Sequence, residues 1–230
     1  MVSLALATLA FIGTHLILSH PLRAALVARL GDRGFLGLYS LIAFAALGWM
    51  IFAYRAADPG IPLWVAAFWW WPIASALMLL ASVLLIGSLR GNPALPNPRM
   101  QSREIPAPRG VFVITRHPMN WSFILWALVH VSVSGGPRNL IVASGIFALA
   151  VLGSIGQDRK KARLQGEAWR QWQAKTSFLP FAALAQGRLR WRDSAPGGIA
   201  VVGGLILWAA ATSYHVPVVS PLGELLYSTR

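Results

Sequence analysis

Five histidines and a buried-looking arginine carry most of the chemistry available to this sequence. His15 and His20 fall in the first apolar run or at its end. His117 follows Arg116 directly before another apolar run, His130 lies deep within that run, and His215 falls in the last one. Imidazole ligates iron or zinc and transfers protons near neutral pH. Ionisable groups inside membrane segments are costly to keep, so a functional site is the default expectation for them. The sequence has seven acidic residues, none inside an apolar run, which argues against a carboxylate-rich metal site or an acid pair. It has no cysteine, which excludes disulfides, thiolate metal sites and thiol catalysis. An imidazole pair remains: two histidines from different helices of a bundle can hold a haem iron axially.

Helical geometry restricts the pairing. Thirteen residues at 100° each put His117 and His130 about 140° apart on one helix, and His15 and His20, five apart, are separated by a similar angle. A pair facing one ligand must therefore come from two helices, His15 with His130 or His15 with His117. Counting from the basic ends of their runs, His15 and His130 differ in depth by roughly 10 Å. His20 and His215, near the interfaces, read as hydrogen-bonded structural residues.

The elements that must position these groups are membrane helices. Of the 230 residues 56% are apolar and 12% charged, where a soluble domain carries about 25% charged residues. Mean hydropathy is +0.58, and eleven tryptophans suit a chain with two membrane–water interfaces. The formal net charge of +13 sits in loops between apolar runs, which argues against nucleic acid and for a bilayer. Apolar runs cover about 2–22, 35–54, 63–89, 118–133, 140–155 and 197–219, predicting an all-α, polytopic bundle of about six spans. The fourth and fifth form a short hairpin, and an interfacial amphipathic helix is expected over 158–176, with Trp169 and Trp172 at the headgroups. No Lys or Arg precedes the first run, so it is expected to be a retained span. Phe68, Trp69, Trp70 and Trp71 are expected to anchor the third span at the interface, and the Pro- and Arg-rich stretch 90–115 to be an irregular loop. With the N-terminus outside, 17 basic residues lie inside (Arg99 and Arg103 among them) against Arg55, Arg138 and Arg230 outside. That predicts six spans with both termini outside.

Several blocks together resemble the NnrU family of bacterial membrane proteins: Ile114 to Met119 (I-T-R-H-P-M), Trp126 to His130, Asp158-Arg159, Glu167 to Trp169 and Thr176 to Ala182. Gly13 to Leu16, Pro21 to Arg23 and Gly37 to Leu41 extend the likeness over most of 1–185, leaving 186–230 as linker and C-terminal helix. The motifs are similar to those of the related 15-cis-zeta-carotene isomerases, which hold haem b through histidines. The resemblance implies haem b on His15 and His130, with Arg116 and His117 near its propionates and Asp158 and Arg159 in support of that turn. It also implies a redox, nitric-oxide-related or polyene-isomerising role, with a hydrophobic small molecule or nitric oxide as partner. Ala127 stands where the isomerases carry a cysteine tied to a ligand switch, which shifts weight towards a non-catalytic accessory protein. A more distant likeness, in the R-H-P turn, short hairpin and charged helix, is to isoprenylcysteine carboxyl methyltransferases. It would imply S-adenosylmethionine instead, although Asp158 and Glu167 make a thin acidic set for that cofactor.

Overall fold

The structure, a computed structural model, describes residues 1–95 and 105–219, with backbone alone at 214 and 216–219. Asn97, Pro98, Arg99, Arg103 and Arg230, used in the loop and charge arguments, lie outside the described residues. The helices are α1 (Val2–Ser19), α2 (Arg23–Ala56), α3 (Trp70–Ser88), α4 (Val111–Ile114), α5 (Pro118–Val133), α6 (Pro137–Gln165), α7 (Glu167–Lys175), α8 (Ala182–Ala185) and α9 (Gly198–Val219). Among the described residues there is no strand, only one antiparallel bridge between Val65 and Ser134.

Four helices, α1, α2, α3 and α6, are long and apolar enough to cross a membrane, while α5 and the apolar part of α9 (Gly198–Ser213) are shorter. Their outward faces carry the large apolar side chains: Leu41, Phe44, Phe52 and Ile206 are all exposed. A soluble protein would hide these; here they form the surface that meets lipid chains. The helices pack in one arc, in the order α2, α1, α6, α5, α3, α9.

Three expectations change. The basic segment after α1 is helical from Arg23, and only Gly31 (φ 69°, ψ 170°) breaks it from the apolar part of α2. Glycine alone adopts that conformation cheaply. The start of the third apolar run is extended rather than helical, because the link between α5 and α6 takes up its backbone groups. Leu63 N–H donates to Gly135 O (3.2 Å), Ala66 N–H to Val133 O (2.8 Å), and Gly135 N–H back to Trp64 O (2.9 Å). Within the tryptophan cluster, Phe68 and Trp69 are exposed as anchors should be, whereas Trp70 Nε1–H donates to Ser132 Oγ at 2.9 Å.

The third change concerns the amphipathic segment. Its first half is a continuation of α6, which ends at Gly166 (φ 55°), and its second half is α7. Trp169 and Trp172, three residues apart on one face, are buried against Leu84, Val111 and Phe112. The tryptophans therefore form core under the 111–114 turn, and the charges of α7 face outward.

Small residues allow the close helix contacts. A Cβ on Gly145 of α6 would collide with Thr8 of α1, and one on Gly156 would collide with the His20 imidazole. On α9, a Gly204 Cβ would stand 2.7 Å from Val83 Cγ2 and 2.8 Å from Val83 Cα. Backbone cannot yield as a side-chain tip does, so this contact holds α9 on α3 only while position 204 lacks a side chain. Gly204→Ala is expected to cost about 1–3 kcal/mol by overpacking and to lower the detergent-phase melting temperature. Gly153→Ala, where a Cβ meets nothing within 4 Å, is expected to leave it unchanged or higher.

Candidate functional site

The structure gathers the predicted polar residues at one end of α5 and sets His130 at the other. The polar end is built from two sequence blocks that clamp each other. Gly110 (φ 60°) starts the single turn of α4, and its N–H donates to Asp193 O at 2.8 Å. The chain then extends at Thr115, where Arg116 N–H donates to Ser177 O (2.7 Å) and Phe181 N–H to Ile114 O (2.8 Å). Thr115 Oγ1–H and Trp121 Nε1–H both donate to Phe178 O, at 2.7 and 2.8 Å. The T-R-H-P turn and the T-S-F-L-P-F segment are thus one unit, with Pro118 suitably placed at the start of α5.

Asp158 of α6 completes that unit. Its carboxylate takes a forked contact from Arg116, Nη2–Oδ2 at 2.7 Å and Nε–Oδ1 at 3.1 Å, and lies 2.9 Å from His117 Nε2. His117 is 2% exposed. An ionised carboxylate can only accept, so Nε2 carries the proton in this contact. His117 Nδ1 is buried and has no hydrogen-bond partner among the described residues. Arg159 is exposed on the next position of the helix and leaves the pairing to Asp158.

At the other end of α5, a cavity of about 540 Å³ opens between α3, α5 and α9. Met78, Trp126, His130, Leu207, Trp208 and His215 are among its walls, and Arg116 and His117 are not. Thirteen residues of helix, roughly 20 Å, separate His117 from His130. His130 stacks on Trp126 (ring centroids 4.1 Å, interplanar angle 29°), and its Nδ1–H donates to Trp126 O at 2.8 Å. That bond fixes the tautomer with the lone pair on Nε2. The His215 ring lies 6.2 Å from the His130 ring, centroid to centroid, at 65°.

His15 is placed elsewhere. Its Nδ1–H donates to Phe11 O (2.7 Å), and its ring meets Phe11 at 4.2 Å and Tyr39 of α2 at 5.5 Å. Contacts along α6 give its depth. Thr8 meets Gly145 and His20 meets Gly156, so His15 is level with about residue 151 of the parallel α6. Asn120 Nδ2–H donates to Ser154 Oγ at 2.7 Å, which puts His130 of the antiparallel α5 level with about residue 144. The two imidazoles are therefore offset by roughly 10 Å of helix axis, as the count from the sequence expected. Ala127, one turn before His130, is 1% exposed and lies outside the cavity lining.

The histidine that joins His130 is His215, which sequence reasoning set aside as interfacial. The signal was available: α9 runs antiparallel to α3, and His215 stands far along it from the basic end, as His130 does along α5. What hid it was treating the end of the last run as a boundary with water.

Four long apolar helices, two shorter ones and a buried polar turn at one end define an all-helical, multi-pass membrane protein. The pattern of the NnrU protein family matches residues 3–221, and the chain belongs to that family. It is similar to the chloroplastic 15-cis-zeta-carotene isomerase of Arabidopsis thaliana, 33% identical over 95 residues that cover 41% of this chain and 25% of the relative. The corresponding isomerase of Zea mays is 32% identical over 79 residues, covering 34% and 22%. The chain thus spans about a quarter of the length of these curated relatives. No solved structure matches.

The ion cluster supports one direct test. Asp158→Asn leaves the Arg116 charge buried without its counter-charge, at a cost of about 3–5 kcal/mol. Thermal unfolding in detergent should show the melting temperature falling by about 10 °C. An unchanged value would mean that the cluster contributes nothing to stability. Arg159→Gln, at an exposed site, should shift it by less than about 2 °C.

Proposed function

We propose that this NnrU-family protein binds haem b in the apolar cavity between α3, α5 and α9, where His130 and His215 would hold it. The observation that carries the reading is the approach of these two rings, centroids 6.2 Å apart, at an apolar cavity of about 540 Å³. Two imidazoles that approach this closely from different helices could hold one metal-bearing group. The cavity is within the size range of cofactor sites. Among the described residues no three His, Cys, Asp or Glu side chains group to hold a bare metal ion. A two-histidine pair suits a metal whose other ligands come with a macrocycle.

The Nδ1–H bond of His130 to Trp126 O does what a supporting hydrogen bond does for a ligating histidine: it orients the ring and presents Nε2. Trp71, Trp126 and Trp208 supply flat apolar walls. Haem held there would supply one-electron redox chemistry. The curated relatives are named for isomerising a carotene, and a hydrophobic polyene reaching this cavity from the bilayer is the corresponding substrate reading. His15, which the resemblance favours as the partner of His130, would need to cross roughly 10 Å of helix axis to serve. We place the protein in a bacterial inner membrane, crossing six times with a periplasmic N-terminus, because the positive-inside count favours that orientation.

Absorption spectra of the detergent-purified protein, oxidised and dithionite-reduced, test the reading. Wild type is expected to show a Soret band and sharp α and β bands on reduction, lost or shifted to a high-spin form in His130→Ala and in His215→Ala but kept in His15→Ala. Loss in His15→Ala with retention in His215→Ala would move the second ligand to α1. A colourless protein from haem-supplemented cells would sink the haem reading and make S-adenosylmethionine binding the next measurement.

A further inference from the structure

The cavity between α3, α5 and α9 extends well beyond the histidine pair. Its wall on α3 runs from Trp71 to Leu85, roughly 21 Å of helix. Ser132 meets Trp70, and Gly204 meets Val83, so His130 and His215 are both level with about residue 72 of the antiparallel α3. We propose that the remaining part, from Met78 to Leu85, is a groove that binds one acyl chain of a membrane lipid, entering from the bilayer between α5 and α9. The groove shares its cavity with the proposed haem site, and so rests on that cavity being a ligand site, whichever group the histidines hold.

The groove opens sideways. Both α5 and α9 pack along α3, and no comparable packing joins α5 to α9 among the described residues. Phe123 of α5 and Leu207 of α9 line the two sides, level with about residues 79 and 80 of α3 by the same two contacts. Phe123 is 41% exposed, and Ala211 and Thr212 on the α9 rim are exposed as well. Leu205 and Ile206, beside that rim, belong to the exposed apolar surface that meets lipid chains, so the mouth is continuous with it. An opening at this depth faces hydrocarbon, where no water carries a soluble ligand to it.

Inside, the lining is Met78, Ala81, Ser82, Leu85, Ser122 and Phe123. Its hydroxyls are already used: Ser82 Oγ–H donates to Met78 O (2.9 Å) and Ser122 Oγ–H to Met119 O (2.6 Å). The Trp208 indole N–H, on the facing helix, donates to Ser75 O at 3.1 Å. An occupant therefore meets apolar surface, and a polar group placed there would lose its water without gaining a partner. The start of the groove selects the kind of chain. Leu85 is one turn from the end of α3 at Ser88, at the basic end of the bundle. From there to the level of the histidines is roughly 20 Å, more than half of the ~30 Å hydrocarbon core. A lipid anchored by its headgroup at that interface lays its chain along this line, whereas a free hydrocarbon is indifferent to where the groove begins.

The full chain in neutral detergent micelles, titrated with a phosphatidylcholine that carries a diazirine midway along one acyl chain, tests this. After irradiation, peptide mass spectrometry reads which residues are labelled. Met78, Leu85 and Phe123 are expected to label saturably, while Leu41, Phe44 and Phe52 on the outer face label in proportion to the probe. Met78→Trp and Leu85→Trp fill the groove at two levels, and each should lower groove labelling by about tenfold while leaving the outer face unchanged. The chain has no cysteine, so a bis-maleimide bridge in Phe123→Cys/Leu207→Cys acts at the mouth alone. Bridging before the probe is added should prevent groove labelling. Unlabelled phosphatidylcholine should compete better than squalene, and the reverse order would reassign the groove to a free hydrocarbon and overturn the lipid assignment. Labelling that fails to saturate, or that survives both tryptophan variants and the bridge, would overturn the groove itself. Saturable labelling in a colourless protein upholds the groove while the haem reading fails, and a Soret band without saturable labelling does the reverse.

Discussion

The half-buried Asp158 carboxylate is the constraint on which the remaining geometry depends. Arg116 donates to it in a fork and His117 lies against it at 2.9 Å, so one side chain of α6 fixes the two residues that open α5. Charge pairs this enclosed are dearly desolvated and are stable only with well-formed hydrogen bonds. That requirement makes the pairing directional. Asn120 on Ser154, about one turn along, and Asn139 on the His130 carbonyl at the far end (2.8 Å) repeat the constraint. Tied at three levels, α5 has little freedom to rotate on α6. Its rotation decides that His130 and Trp126 face the cavity while Ala127 faces packed neighbours. The polar turn therefore acts on the cavity through a rigid helix, at a distance of roughly 20 Å.

Much of this was legible in the sequence, and the boundaries of α5 were the clearest case. Pro118 marks its start, and the small polar link Ser134 to Gly136 marks its end, so the expected 118–133 span is the observed helix. The exposed Phe68 and Trp69 also match their reading as anchors. What escaped were features in which one pattern has two physical meanings. Trp169 and Trp172 make α7 amphipathic, but an apolar stripe meets a protein core as readily as a bilayer surface. The 111–114 turn, whose apolar side chains complete that core, gave no periodic signal of its own. The Pro- and Arg-rich stretch 90–115 was read as loop, and its described residues outside 111–114 are irregular. The single turn of α4 within it depends on Gly110 and on a distant acceptor, Asp193 O, which no local rule supplies.

The T-R-H-P and T-S-F-L-P-F blocks show a related limit on reading motifs. Each looked like a candidate site because its residue types could do chemistry. In the fold their backbone and side-chain groups are largely spent on one another, with Arg116 on Ser177 and Asp158, and Thr115 and Trp121 on Phe178. A motif dense in polar groups can mark a joint as easily as a reaction centre, and the distinction appears only when each donor is assigned its acceptor. By that criterion the atoms of interest are the unassigned ones. Among the described residues they include His117 Nδ1 within the joint, Gln165 Oε1, the indole N–H groups of Trp169 and Trp172, and the Nε2 of His130 at the apolar cavity.

These atoms separate the chain into a charged end and an apolar end with different physics. At the charged end donors are in excess: basic residues outnumber acidic ones 20 to 7 across the chain, and the Asp158 carboxylate is already taken by two partners. Among the described residues Glu167 and Asp193 are also paired with arginines, and a bilayer with acidic headgroups offers further anions at that depth. At the apolar end the cavity walls are largely tryptophan, leucine, methionine and alanine, with His130 Nδ1–H on Trp126 O and His215 Nδ1–H on Ala211 O. A flat, largely apolar ligand would be accommodated there at less desolvation cost than a compact anion. Placing haem propionates on Arg116 and His117 would ask one ligand to satisfy both ends across the length of α5. Arg116 and His117 are already held by Asp158 and do not line the cavity, so the imidazoles that the cavity offers are those of His130 and His215.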